Sequence, residues 1–293
     1  MTTTAELFID SRCELGEGPF WHPLQERLFW FDILNKTLFS ATSGGIMVDR
    51  FTFDATVTAA GVIDSDNLAV ASAAGIFKLT LSTDTRELLM PLEPDSTTTR
   101  TNDGRVNQAG GFWIGTMGLN NPGGVAQGAL YQVRAGSVSK LLSDVYIPNS
   151  TCFSPDGRTA YFADTMSGAI RKVAIDPQTG LPNGGWQTFV DKGVIAGDPD
   201  GAVVDSEGFV WSARWTGSSV VRIAPDGRID REIKLPVSRV TCPAFGGKDL
   251  KTLYITSARE GLTADELAKE PLAGSVFAID VDVPGLPENL FRA

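Results

Sequence analysis

The chain has 293 residues, with 25 basic and 35 acidic side chains and a formal net charge of −10. This acidic balance argues against nucleic acid as a partner, because phosphates attract Lys and Arg. The single histidine, His22, argues against histidine-rich zinc sites and leaves only one candidate for a Ser–His–Asp triad.

Signals for compartment and targeting are sparse. The three cysteines, Cys13, Cys152 and Cys242, lie far apart without a Cys-x-x-Cys motif, which favours a reducing compartment and no disulfide framework. The N-terminus lacks the basic and apolar regions of a signal peptide, and no run approaches about 18 consecutive apolar residues. We therefore expect a cytoplasmic protein, a monomer or weak homo-oligomer, that has no membrane partner.

Short runs of apolar, aromatic and β-branched residues recur along the chain, each after a polar turn. In chain order they are 28–33, 68–72, 112–117, 160–165, 209–214 and 253–258. Their reference residues are Trp30, Val70, Trp113, Phe162, Trp211 and Ile255, separated by 40, 43, 49, 49 and 44 positions. A period of about 40–50 residues with several short strands per unit is typical of a β-propeller.

We therefore predict an all-β fold, a six-bladed β-propeller with a central metal site, as one domain over residues 1–293. A two-sheet sandwich is the alternative, but sandwiches do not repeat six times. Residues 263–270 are the only segment with a helical pattern, with Thr263 as N-cap and Glu266 completing a capping box.

The repeat also predicts which side chains converge on the central channel, because the first strand of each blade lines it. Counting back 11–13 positions from each reference residue gives Glu17, Thr58, Asn102, Asn149, Asp200 and Cys242. Four of these carry oxygen donors of the kind that hard divalent cations prefer. The alternative is that each is an ordinary turn residue. The channel mouth is also where a small-molecule pocket is expected.

Arg100 stands two residues before Asn102, so alternation along an extended segment places both side chains on one face. An arginine in an oxygen-lined cavity would recognise a carboxylate or sugar hydroxyls, whereas the alternative is a surface salt bridge. The sequence has no Gly-x-Ser-x-Gly, P-loop, EF-hand or His-Glu-x-x-His motif. We expect His22 to be a structural turn residue, and Cys152 and Cys242 to serve packing.

Several short motifs, spread in order over nearly the whole chain, form a joint pattern. They are LGEGP at 15–19, RTNDG at 100–104 with FWIGTM at 112–117, IPNS at 147–150 with FSPDG at 153–157, DPDG at 198–201, and AFGG at 244–247 with LYITSA at 253–258. In these motifs the chain resembles the regucalcin/gluconolactonase (senescence marker protein) family of six-bladed propeller lactonases.

The resemblance implies specific roles for site residues. Glu17, Asn149 and Asp200 would bind one divalent cation (Ca²⁺, Mg²⁺, Mn²⁺ or Zn²⁺), and Asp200 would double as the acid/base. Arg100 and Asn102 would contact substrate. Asn120 stands where relatives often have a substrate-binding glutamate, and Ser-Thr-Cys follows Asn149 instead of the commoner Gly-Leu. These two departures leave the substrate open.

The expected activity is metal-dependent hydrolysis of a sugar-acid lactone, aldono- or aldaro-, to the open-chain acid. Two alternatives stay open. One is a calcium-dependent ester or phosphotriester hydrolase, which would prefer hydrophobic substrates. The other is a non-catalytic calcium-binding propeller, in which Arg100 and Asp200 could be neutralised without biochemical loss.

Overall fold

The structure is a computed structural model that describes residues 3–119 and 124–293. Within these ranges, 25 strands form six sheets. The first strand of each sheet contacts the first strands of its two neighbours, so the sheets close into a ring. The prediction of a six-bladed β-propeller is confirmed.

The strands follow one another from the channel outward in each blade. The chain begins with β1 (Thr3–Thr4) and β2 (Glu6–Ile9). Blade one holds β3 (Gly16–His22), β4 (Arg27–Asp32), β5 (Thr37–Thr42) and β6 (Met47–Thr52). Blade two holds β7 (Val57–Val62), β8 (Asn67–Ser72), β9 (Gly75–Thr80) and β10 (Thr85–Pro91). Blade three holds β11 (Thr99–Val106), β12 (Phe112–Gly118), β13 (Gly128–Arg134) and β14 (Ser137–Val145).

The second half of the chain repeats this arrangement. Blade four holds β15 (Pro148–Phe153), β16 (Thr159–Asp164), a 3₁₀ turn (Thr165–Ser167), β17 (Ile170–Ala174) and β18 (Gln187–Val190). Blade five holds β19 (Asp198–Val204), β20 (Val210–Trp215), β21 (Ser219–Ile223) and β22 (Ile229–Lys234). Blade six holds β23 (Val240–Gly246), β24 (Thr252–Ser257), α1 (Ala264–Lys269) and β25 (Val276–Asp280). The predicted helix is α1, and Thr263 and Glu266 form the expected capping box.

The core lies between neighbouring blades. The second strands carry the repeating apolar runs because both of their faces pack against protein. Trp30, Trp113 and Trp211 lie on second strands of their blades and are fully buried. Each such side chain removes about 150–250 Å² from water, which explains why the repeat is marked by aromatic residues.

The two chain ends close the ring. Strand β2 pairs with β25 and completes blade six, while β1 pairs in parallel with β22 as a fifth strand of blade five. The C-terminal segment 284–293 runs across the far ends of the first strands: Phe291 N donates to Val62 O at 2.7 Å, and Arg292 N donates to Gly110 O at 3.0 Å. Among the described residues, no helix is both long and apolar enough to cross a membrane.

Candidate functional site

A cavity of about 460 Å³ opens at the end of the channel where the first strands begin. One part of its wall is polar, and the other part is apolar. The polar side chains are Glu17, Arg100, Asn102, Asn149, Thr165, Asp200 and Glu260, and the apolar ones are Leu15, Leu34, Met117, Leu119, Ile147 and Trp215. Such a wall suits a ligand that has both hydroxyl groups and C–H faces.

A repeated irregularity of the backbone aims the polar side chains into this cavity. In all six blades the pairing of the first strand with the second shifts register near the mouth. The shifts lie between residues 17 and 20, 57 and 59, 101 and 104, 149 and 152, 199 and 202, and 240 and 243. A β-bulge bends its strand and redirects a side chain, so polar residues of different blades converge.

Two glycines let the first strands come close together at this point. Gly18 has a φ of 53°, and a Cβ there would lie 2.5 Å from the carbonyl oxygen of Thr58. A Cβ on Gly201 would lie 2.3 Å from the Sγ of Cys242. At both glycines the neighbouring strand comes so close that a larger residue would not fit. Thr58 and Cys242, the two members of the predicted ring without a carboxylate or amide, therefore provide packing surfaces.

Glu17 and Asp200 form a buried pair of carboxyl groups. Their residues are 8% and 6% exposed, and both side chains line the same cavity. Gly18 N donates to Glu17 Oε2 at 2.7 Å. Burial raises the pKa of both carboxyls, charge repulsion from the nearby Asp103 adds to both rises, and repulsion from Glu17 raises the pKa of Asp200 further.

Asn149 is held with its amide in a defined orientation. Its Nδ2 donates to Thr165 Oγ1 at 2.8 Å, and this hydroxyl in turn donates to the carbonyl of Pro199 at 2.9 Å. The opposite side of the amide, Oδ1, has only a long 3.5 Å contact with Asn102 Nδ2. Asn149 therefore presents a carbonyl oxygen at the cavity with most of its accepting capacity free.

Arg100 and Asn102 lie together, as strand alternation predicts. Arg100 Nη1 donates to Asn102 Oδ1 at 2.9 Å and to the carbonyl of Thr101 at 2.8 Å, while Asn102 Nδ2 donates to Pro148 O at 2.9 Å. Arg100 is 8% exposed, and burial lowers its pKa. Because Arg100 is buried, the alternative interpretation of this residue as part of a surface salt bridge does not fit.

The donor set at the mouth fits a hard divalent cation. Glu17 and Asp200 bring two carboxylates together away from water, and Asn149 adds a neutral oxygen. Two buried carboxylates side by side are costly unless a proton or cation compensates their charge. Oxygen ligands of this kind suit Ca²⁺, Mg²⁺ or Mn²⁺. In residues 3–119 and 124–293 no group of three or more His, Cys, Asp or Glu side chains could hold a metal.

Some predicted residues lie elsewhere. Asn120 lies outside the described residues. His22 is buried at the end of β3 away from the mouth, where its Nε2 lies 3.1 Å from the carbonyl of Asp64 and its Nδ1 accepts from Gln25 N at 3.3 Å. It lines no part of the cavity. Cys152 and Cys242 are buried and free, and burial raises the pKa of both thiols.

The sequence analysis missed a second group of lining residues. Each lies at the end of a second strand or just after it, where the chain returns to the mouth, and these residues are Leu34, Leu119, Thr165, Trp215 and Glu260. The signal was available, because they follow the reference residues of their blades by three to six positions. Reading the repeat forward as well as backward would have found them.

A six-bladed propeller with a carboxylate–amide cluster at one end of its channel defines a class of proteins, and comparison with known proteins identifies the family. The family model "SMP-30/Gluconolactonase/LRE-like region" matches residues 15–259. A 6-deoxy-6-sulfogluconolactonase of Pseudomonas putida is 36% identical over 99% of both chains, and a pentonolactonase of Haloferax volcanii is 34% identical over 97% of both.

A solved structure gives the same result. The crystal structure of a calcium-binding protein, regucalcin, from Agrobacterium tumefaciens has a TM-score of 0.95 at 36% identity and covers 100% of both chains. The chain therefore belongs to the SMP-30/gluconolactonase/regucalcin family of sugar lactonases.

Proposed function

We propose that the protein hydrolyses the cyclic ester of a sugar acid to the open-chain acid, with a divalent cation at the mouth of the channel. Family membership makes the chain a lactonase, a hydrolase of carboxylic ester bonds. The proposal concerns the substrate, the cation and the roles of individual residues. It rests on one observation: two buried carboxyls and a free amide oxygen share a cavity with Arg100 and Asn102.

The polar wall supports binding of a hydroxylated ring. Arg100 and Asn102 hold each other in place through a 2.9 Å hydrogen bond, so their remaining donors have fixed directions. Fixed donors orient a bound lactone at little entropic cost. Trp215, at the end of β20, provides a flat apolar surface on the same cavity for the C–H face of a sugar.

Asp200 is the proposed general base and acid. Its carboxylate takes a proton from the water that attacks the lactone carbonyl carbon, and the tetrahedral intermediate then breaks its bond to the ring oxygen. Asp200 returns the proton to that oxygen as it leaves as an alcohol. Asp200 lines the cavity and is largely buried, so its carboxylate lies where a bound lactone and the attacking water would be placed.

Glu17, Asn149 and Asp200 would hold the cation. When bound, it would supply positive charge that polarises the lactone carbonyl and stabilises the developing oxyanion. In its absence the raised pKa values of Glu17 and Asp200 favour protonation of the pair, so we expect cation and proton to compete for the same carboxyls.

Metal add-back tests the proposal. The protein is stripped with a chelator and assayed on a panel of aldono- and aldarolactones, at a pH where spontaneous opening is slow, with Ca²⁺, Mg²⁺, Mn²⁺ and Zn²⁺ added in turn. We expect restored hydrolysis of one lactone series. Absence of turnover on every lactone, with cation bound, would refute the proposal. An aryl-ester or phosphotriester panel run in parallel would then test the ester-hydrolase alternative.

A further inference from the structure

A fourth charged side chain lines the same cavity as the proposed reaction centre. Glu260 lies three residues after β24, on the loop that leads to α1. The loop is tied to the beginning of blade one, because Arg259 N and Glu260 N both donate to the carbonyl of Glu14, at 3.0 and 2.9 Å. The position of Glu260 at the mouth is therefore fixed by the backbone.

The carboxylate of Glu260 is available to a ligand. In the part of the chain that the structure describes, no side chain or backbone group hydrogen-bonds to it, although it is largely surrounded by protein and burial raises its pKa. The charged groups that face it are Arg100, Glu14 and Arg239. The Arg239 guanidinium carbon lies 4.9 Å from the ring centroid of Trp215, so this arginine is stacked on the indole.

The charges around the cavity balance only when a divalent cation is bound. Its charged lining residues in the described ranges are Glu17, Asp200 and Glu260, which are acidic, and Arg100, which is basic. When all are ionised, a bound divalent cation brings the site to neutrality. Removing the charge of Glu260 would leave one excess positive charge at the mouth.

Arg100 is consequently a poor receptor for an anionic substrate. Its Nη1 already donates to Thr101 O and Asn102 Oδ1, and its charge interacts with those of Glu260 and Glu17. A carboxylate or sulfonate brought to Arg100 would also approach Glu260. Like charges forced together in a partly dehydrated site repel strongly, whereas the hydroxyl of a neutral sugar can donate to the same carboxylate.

We propose that Glu260 is a specificity-determining residue that selects lactones by charge: it accepts hydrogen bonds from the hydroxyls of uncharged aldonolactones and excludes lactones that carry an additional anionic group. This inference rests on the proposed lactonase activity of the same site. It also decides between the aldonic and aldaric substrates that the sequence leaves open.

The test compares two substrates in matched variants. The kcat/KM values of the metal-loaded enzyme are measured for D-glucono-1,5-lactone and for galactaro-1,4-lactone, which is anionic at neutral pH. The variants are Glu260→Gln, Glu260→Ala and the control Glu6→Gln. Glu6 lies exposed on outer strand β2, so its substitution changes the net charge equally without touching the cavity.

We expect the wild type to prefer the neutral lactone. Glu260→Gln should raise the anionic-to-neutral ratio of kcat/KM by at least about tenfold, mainly through a lower KM for the anionic lactone, while Glu6→Gln changes it less than about twofold. A wild-type preference for the anionic lactone, or an unchanged ratio in Glu260→Gln, would overturn the inference.

A further measurement, the salt dependence of the ratio, keeps the result interpretable. Higher salt should raise the same ratio in the wild type and have less effect in Glu260→Gln, which tests the repulsion without relying on the stability of a variant. Salt-independent ratios in the wild type would count against the inference. If the wild type hydrolyses neither lactone, the proposed function fails, and this outcome is distinct from hydrolysis of both with no role for Glu260.

Discussion

The two ends of the channel are built from the same six strands but differ in how their polar groups are satisfied. At the mouth, Glu17, Asp200 and Asn149 surround a cavity of about 460 Å³. At the far end, a void of only about 30 Å³ remains, because the C-terminal segment covers it. There Glu288 forms an ion pair with Arg105, and Asn289 Nδ2 donates to the carbonyl of Val106 at 3.0 Å.

We therefore expect the mouth of the channel to serve activity and the far end to serve stability. The far end closes the ring and pairs Arg105 with Glu288, as expected for a structural contact. The mouth keeps carboxyl and amide groups without complete partners inside the protein, which costs stability and is typical of a binding site. Substitutions at the mouth should therefore change activity more than folding, and substitutions at the far end should do the reverse.

The largest expected effect is at the mouth. Asp200→Asn removes the proposed base but preserves size and hydrogen-bonding shape, so kcat should fall about 1000-fold while the protein stays folded. Steady-state assays at saturating cation and circular dichroism measure the two quantities. Asp198→Asn, an exposed neighbour that does not line the cavity, is the matched control and should remain active. Near-normal turnover by Asp200→Asn would remove it from catalysis.

The far end should respond in stability. Phe291 is buried, and its ring lies 6.2 Å from that of Phe112, so Phe291→Ala should lower the free energy of unfolding by about 3 kcal/mol with kcat little changed. Urea denaturation measures the loss. Leu290→Ala provides the control, because this neighbouring side chain is 49% exposed and should cost far less. Equal losses in both variants would mean that the C-terminal segment does not seal the channel.

Arg100 should separate substrate binding from cation binding. Arg100→Ala removes donors on the polar wall but leaves Glu17, Asn149 and Asp200, so KM for the preferred lactone should rise about 10- to 100-fold. Affinity for the cation, measured by calorimetry, should change much less. An unchanged KM would show that Arg100 does not contact the substrate.

The smallest expected effect is a pH-dependent shift in thermal stability. The folded-state pKa values of Glu17 and Asp200 lie above their unfolded values. The free energy of unfolding of the metal-free protein should therefore fall as pH rises from the ordinary carboxyl range through the raised pKa values. An added divalent cation should therefore raise Tm by more degrees at pH 8 than at pH 6, since fewer protons compete with it.

Glu17→Gln is the control for this shift, measured by thermal melts with and without cation. It removes one of the two carboxyls, so its cation-dependent increase in Tm should be largely lost at both pH values. A wild-type increase that is the same at pH 6 and pH 8 would contradict competition between proton and cation.

Sequence spacing predicted much of the site because a propeller repeats one unit around an axis. Residues 11–13 positions before the second-strand reference residues were expected to face the channel, and Glu17, Asn102, Asn149 and Asp200 do line one cavity. Arg100 followed from alternation on the same strand. Glu260 and Trp215 were missed because they lie on the returning segments, where offsets vary between blades.

The sequence by itself determined the number of blades, the buried second strands and several first-strand residues at the mouth, because these depend on local periodicity and on the repeat. Tertiary structure alone decided how the ring closes. The pairing of β2 with β25 and the cover formed by residues 284–293 join parts of the chain that lie more than 200 residues apart or belong to different blades. It also decided that Glu260 faces Arg100, because no sequence pattern records a distance across a cavity.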